Sequence, residues 1–363
     1  MELGLFLNTH GVTNRDDTDW WHQPMPADEM KPVESAQLAE KLGYHSVWMG
    51  DHVSLPEDSP GSVSPVHVEG ESNPEVRHRG PDEEDVGGSK RHYPRRPNIL
   101  DGAVVMGAIA ATTSRIKMGP SVLIAPYRHP LSDARQFMTV DYLSGGRLVM
   151  GVGCGWMKEE FEALGHTYHA ERLKVLDECI QIYDQAWREG QVTFHGRFFS
   201  FDRMTIFPLP VRRPRPPIVV GAITKAGARL VARRAEGLFP ILTRPNTDPY
   251  EYQAVQDEVR REAERLQRDP GEIAMLGLTS FRITGADDEE STRRPRRILG
   301  GTADQILSDL QRFADAGYSL LVMAPICPSR SYAEFAEQAQ RLGEEVIPEA
   351  RKIRPQGGWR TDL

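Results

Sequence analysis

The chain has 363 residues, 39% of them hydrophobic and 26% charged, with a formal net charge of −8. That suffices for one large domain or two ordinary ones of soluble, globular composition, and the acidic balance excludes a surface built for non-specific nucleic-acid binding, which needs excess positive charge. The cysteines, Cys154, Cys179 and Cys327, are scattered without a C-x-x-C pair, which suits reduced thiols in the cytoplasm and excludes a disulfide framework.

The start, MELGLFLNTHG, has no basic stretch leading into a cleavable apolar segment, so no signal peptide is expected. Within it LGLFL (3–7) is the first of eight short apolar runs that read as buried strands. The second, SVWM (46–49), gives way at once to Asp51 and His52. Residues 53–98, rich in Pro, Gly, His and charge, form a long excursion of a kind that is functional or unstructured. AVVMGAIAA (103–111), the longest apolar run, is far too short to cross a bilayer and reads as a helix. IKMGPSVLI (116–124) and RLVMGVG (147–153) are strands 3 and 4. In ERLKVLDECIQIYDQAW, Leu173, Leu176, Ile180, Tyr183 and Trp187 share one helical face. QVTFHGRFFSFD (191–202) alternates around His195-Gly196 as a small hairpin before strand 5, PIVVGA (217–222). The helix KAGARLVARRA leads to strand 6, GLFPIL (237–242), and strand 7 is IAMLGLTSFRIT (273–284). A second charged excursion, residues 285–300, precedes TADQILSDLQRFADAG, where Thr302 and Gln305 make a capping box and Gly317 ends the helix. YSLLVMAP (318–325) is strand 8, and YAEFAEQAQRLGEEVI sets Phe335, Ala339, Leu342 and Val346 on one stripe.

The strand runs are mostly continuous rather than alternating, as in parallel strands covered on both faces. Strand–helix alternation fits either an open doubly wound sheet or a (β/α)8 TIM barrel, and the count of eight favours the barrel. The expectation is a single domain over 1–350, with long insertions after strands 2 and 7, a hairpin before strand 5, and a C-terminal tail at 351–363.

A barrel carries its site where the strands end. That gathers Asn8, Thr9 and His10 after strand 1, Asp51 and His52 after strand 2, and Ser121 and Val122 near the end of strand 3. Cys154 and Trp156 follow strand 4, Gly221 to Thr224 follow strand 5, and Thr243 and Arg244 follow strand 6. Each has a plainer reading: Asp51 as a turn cap, His52 as a donor to a carbonyl, Cys154 as a small packed residue. GVGCGW (151–156) marks close approach to backbone, but it is not a G-x-G-x-x-G dinucleotide fingerprint. With NTHG after strand 1, no H-E-x-x-H and no carboxylate–histidine cluster, no metal site is expected.

Four stretches, GYHSVWMGDHVSLP (43–56), residues 113–165 with PYRHP and DYLSGGRLVMGVGCGW, residues 195–222, and GTADQILSDLQRFADAGYSLLVM (301–323), together resemble the luciferase-like flavin monooxygenases and deazaflavin-dependent oxidoreductases, in particular the branch dependent on coenzyme F420. The resemblance implies a tricyclic ring held at the barrel mouth, with His52 as the active-site histidine and Asp51 beside it. It implies a non-proline cis peptide at Ser121–Val122 behind the ring. For the phosphate it implies Gly153 and Cys154 after strand 4, Arg172 opening the next long helix, and Gly221, Ala222 and Thr224 after strand 5. The free N–H groups of the helix after Thr224 and the fork of Arg172 suit an anion independently of any family. Substrate would lie over the open ring face against Trp156 and His10. Trp156 stands where sugar-phosphate dehydrogenases of this family carry a glutamate, so a sugar phosphate is not the expected substrate. Cys154 stands where the luciferase branch has an arginine.

The expected activity is therefore hydride transfer between coenzyme F420 and a small organic substrate, with His52 giving or taking the proton, since a histidine titrates near neutrality. The close alternative is an FMN-dependent monooxygenase on the same barrel, served by a separate reductase; the distant one is a metal-dependent hydrolase. The 285–300 segment, with Arg293, Arg294, Arg296 and Arg297, is read as a lid or as a solvated face. A homodimer is expected, and neither nucleic acid nor membrane as a partner.

Overall fold

The computed structural model describes residues 1–9, 13–14, 25–55, 91–92, 98–242, 248–292 and 295–363. Eight parallel staves close on one another: β1 (Glu2–Phe6), β2 (Ser46–Met49), β3 in two pieces (Lys117–Pro120 and Leu123–Ile124), β4 (Met150–Gly153), β5 (Ile218–Val220), β6 (Gly237–Leu238), β7 (Ala274–Ile283) and β8 (Leu320–Pro325). The first piece of β3 pairs with β2 and bridges Met118 to Leu148, and the second pairs with β4, so strand 3 joins the two halves into a barrel. Each of the eight apolar runs becomes a stave.

The barrel is filled from within. Phe6, Trp48, Val149, Val219, Phe239, Leu276, Leu278, Leu320 and Val322 form an interior cluster separate from the larger shell between staves and helices. Trp48 lies across Gly119 and Gly151, where a Cβ would stand 3.0 and 3.3 Å from its ring, and its indole N–H donates to Ser46 Oγ at 2.8 Å. Small residues on two staves thus make room for one large buried ring.

The outer ring consists of α1 (Pro32–Leu42), α2 (Gly102–Thr112), α3 (Pro130–Ser144), the short α4 (Lys158–Ala163), α5 (Arg172–Glu189), α6 (Lys225–Arg234), α7 (Gln253–Arg265), α8 (Ala303–Asp315) and α9 (Tyr332–Arg341). The capping box at Thr302 and Gln305 forms as the sequence implies. α9 continues through a π-helical turn at Leu342–Val346. The hairpin has arms Gln191–His195 and Ser200–Thr205; Glu178 of α5 accepts the backbone N–H groups of Arg197, Phe198 and Phe199 in its turn. Residues 351–363, expected as a tail, are packed: Gln356 N–H donates to Ala314 O at 2.8 Å, Arg360 N–H to Ile273 O at 2.9 Å, and Leu363 joins the barrel interior.

Much of the 53–98 excursion lies outside the described residues. A two-residue antiparallel pair, Thr13–Asn14 with Arg91–His92, joins the segment after β1 to the end of that excursion. The 285–300 segment is anchored rather than loose where it is described. Arg296 makes a two-pronged bond to Asp309 of α8 at 2.8 and 2.9 Å, and Thr284 and Ser291 share a hydrogen bond at 2.8 Å. Arg293 and Arg294 lie outside the described residues.

Candidate active site

The mouth is built on the floor that Val122 provides. Val122 packs with the interior cluster, and its methyl groups come within 2.5 Å of where a Cβ on Gly153 would be and 3.2 Å of one on Gly221. The absence of side chains at these two positions seats Val122 centrally. The Ser121–Val122 peptide is cis, and Ser121 N–H donates to Met49 O at 2.7 Å. Gly153 and Gly221 thus line the floor.

His52 and Asp51 leave β2 in different directions. Both Asp51 oxygens are engaged: Oδ1 accepts from Arg128 Nη2 at 2.6 Å, and Oδ2 from Arg128 Nη1 at 2.8 Å and Ile124 N–H at 2.9 Å. Burial works against the charge on Arg128, but the bonds from Asp51 outweigh it and hold the guanidinium further above its ordinary range. Asp51 ties the ends of β2 and β3 together.

His52 instead meets a residue that the sequence reading did not single out. Its Nδ1 lies 2.7 Å from Glu160 Oε2, and both side chains are buried, at 8% and 0% exposure. Glu160 Oε1 accepts the backbone N–H groups of Val53 at 2.7 Å and Ser54 at 3.1 Å. α4 presents Glu160 because Met157, Phe161 and Glu160 share its buried face. Phe161 sets the depth, meeting Tyr127 edge to face at 4.7 Å. The turn into α4 requires Gly155: its φ is +75°, and a Cβ there would stand 2.6 Å from Ile124 Cγ2. A carboxylate on the apolar stripe Met157, Glu160, Phe161, Leu164 was the available sequence signal.

The structure brings Cys154 and Arg172 together. Arg172 Nε donates to Gly155 O at 3.0 Å and Nη1 to His169 O at 3.0 Å. Burial pushes the Cys154 thiol up, with Arg172 pulling it back. Among the described residues Arg172 has no carboxylate partner. Thr224 caps α6, its Oγ1 accepting from Gly227 N–H at 3.2 Å, and Lys225 follows as the first helical residue, exposed. Gly221 N–H is taken by Val152 O at 2.8 Å, and Ala222 packs under the first turn of α6, so these two shape the loop rather than offering donors of their own. Both α5 and α6 therefore begin with a cation and have no acidic residue in the first turn. A helix start favours negative charge; at α5 Glu171 stands at the N-cap beside Arg172, while the first turn of α6 holds no acid.

Trp156 is half-buried and packs with Leu55 on Met157, and its carbonyl accepts from His169 Nε2 at 3.0 Å. His10, Thr243 and Arg244 lie outside the described residues. Behind the Asp51–Arg128 clamp a second carboxylate is buried: Asp133 of α3 accepts from Tyr183 OH of α5 at 2.8 Å, while its Oδ1 has no partner among the described residues. Burial pushes Asp133 up to about 7, although Tyr183 and Arg128 pull it down. Among the described residues no three His, Cys, Asp or Glu side chains gather as a metal-holding set, and no helix is long and apolar enough to cross a membrane.

Comparison with known proteins gives a consistent picture. Residues 84–358 match the luciferase-like monooxygenase family. An FMNH(2)-dependent dimethylsulfone monooxygenase of Pseudomonas putida is 29% identical over 54% of this chain, a match that spans about half the length of that relative (52%). An F420-dependent glucose-6-phosphate dehydrogenase of Nakamurella multipartita is 26% identical over 91% of this chain and 96% of its own. The solved structure of a coenzyme F420-dependent tetrahydromethanopterin reductase from Methanopyrus kandleri superposes with a TM-score of 0.67 at 18% identity, covering 96% of this chain and 99% of that one, which shows the shared barrel.

Proposed function

The chain belongs to the luciferase-like monooxygenase family, and from that premise we propose that it transfers hydride between coenzyme F420 and a small organic substrate, with His52 giving or taking the accompanying proton. The observation that carries this reading is the pairing of an apolar floor at Val122 with a buried proton-transfer group, His52 on Glu160, at the end of the neighbouring stave.

The donor set fits a planar ring with an anionic tail. Val122, flanked by Gly153 and Gly221, offers a flat apolar support, and Arg172 and Lys225 open two helices that lack acidic residues in their first turns. Arg172, beside Cys154, and the Thr224-capped start of α6 would hold the phosphate. When bound, the cofactor supplies the two-electron donor or acceptor. The chain's own residues do the rest. His52 accepts or donates a proton at the substrate heteroatom, Glu160 orients the ring, and Trp156 closes one side of the substrate space. Asp51 and Arg128 hold the two stave ends in register.

Support for coenzyme F420 over FMN comes from the end-to-end match to the F420-dependent relative, where the FMNH(2)-dependent one matches over about half its length. The FMN-dependent monooxygenase remains the second reading, favoured by the slightly higher identity of that match, and it would call for a separate reductase. Val104, Tyr142 and Leu143 on the outer faces of α2 and α3 are 70%, 57% and 55% exposed, which supports a homodimer through these helices. The free thiols Cys154, Cys179 and Cys327 support a cytoplasmic setting. Spectral titration decides the cofactor: saturable binding of coenzyme F420 with little affinity for FMN is the expected result, and the reverse order would overturn the first reading in favour of the second.

A further inference from the structure

The Glu160 carboxylate is oriented, not merely present. Oε1 is fixed by two backbone donors, Val53 N–H at 2.7 Å and Ser54 N–H at 3.1 Å, so Oε2 is the oxygen turned to His52 Nδ1 at 2.7 Å. Two backbone N–H donors on Oε1 make Glu160 an acceptor on that side, leaving Oε2 to the imidazole. An ionised carboxylate can only accept, so the hydrogen between the two side chains belongs to the imidazole.

Resting on the hydride-transfer reading above, we propose that Glu160 is a positioning residue that fixes His52 as the Nδ1–H tautomer, so that every proton exchanged with substrate passes through Nε2. In the neutral ring Nε2 then carries the lone pair, and a proton taken as hydride leaves the substrate goes to that atom. In the opposite direction the imidazolium returns that same proton from Nε2, while Nδ1–H stays on Glu160. Loop tethering alone would need Oε1 only; the bond from Oε2 to the ring is what a tautomer lock adds.

Glu160→Gln separates the two roles. The Val53 and Ser54 N–H groups still need an acceptor, which directs the amide oxygen to them and turns the NH2 group toward His52. Nδ1 must then accept, and the ring flips to the Nε2–H tautomer while the loop keeps its bonds. The test is 15N NMR of histidine-labelled protein, the His52 signals being identified by their loss in His52→Asn. The expected result is a pyrrole-type Nδ1 and a pyridine-type Nε2 in the native chain, exchanged in Glu160→Gln. A native His52 protonated at Nε2 overturns the proposal, as does a folded Glu160→Gln protein that keeps the native tautomer. The native spectrum decides even if the variant does not fold. Titrating the same native sample with coenzyme F420 and with FMN keeps the two ideas apart: if neither binds, the functional reading falls, while the tautomer still judges the role of Glu160.

Discussion

Asp133 offers a sharp thermodynamic test of how the site is supported. Its carboxyl is buried between α3 and α5 and is raised from 3.8 to about 7 in the folded chain. Between these values the native state holds a proton that the unfolded chain has released. Stability therefore falls as pH rises through that window, by about 1.4 kcal/mol per pH unit. The contribution is fully present below pH 3.8 and has been lost once pH passes about 7, where the penalty levels off near 4 kcal/mol. Asp133→Asn removes the titration while keeping an acceptor for Tyr183 OH. Urea unfolding of both proteins from pH 4.5 to 8 should show the variant gaining on the native chain as pH rises, with a difference that stops growing above pH 7. A fixed offset from the missing charge or the reshaped hydrogen bond does not matter, because the slope is the readout. Parallel stability curves across the range would refute the reasoning, and would mean that the folded carboxyl titrates where an unfolded one does.

Asp51→Ala should cost about 3 kcal/mol in urea unfolding, since it leaves the part-buried Arg128 and Ile124 N–H without their acceptor; in a double-mutant cycle with Arg128→Ala the two changes should be strongly non-additive, and simple additivity would dissolve the clamp. Arg172→Ala should weaken cofactor binding at least tenfold, and Lys225→Ala less, with a shallower dependence on salt in both; unchanged affinity in both would remove the anion site. Gly155→Ala should lower stability by about 2 kcal/mol or more, because the turn needs φ of +75° and the new methyl meets Ile124 at 2.6 Å. A variant that melts with the native chain would show that the turn can be rebuilt.

The barrel was legible because its staves are buried on both faces and so read as unbroken apolar runs such as SVWM and YSLLVMAP. What lay beyond reach was pairing across the chain. Asp51 finds Arg128 77 positions away, and His52 finds Glu160 108 positions away; neither separation leaves a local pattern. The aspartate and histidine were visible as polar residues at a stave end, but which group each of them engages depends on those distant partners. The break in β3 is similar: IKMGPSVLI gives no periodic signal of a division at Ser121–Val122, and only resemblance pointed there. Arg172, too, was reached through the resemblance: locally it is one arginine after Glu171 at the start of a long amphipathic helix.

The packed interior makes the barrel a blind-ended vessel. Trp48, Phe239 and their neighbours stopper it along its axis, so nothing passes through. On the proposed reading, cofactor and substrate lie one above the other on Val122 and enter from the same end of the barrel. The lower one has to arrive first and depart last, and kinetics at this mouth should follow that compulsory order.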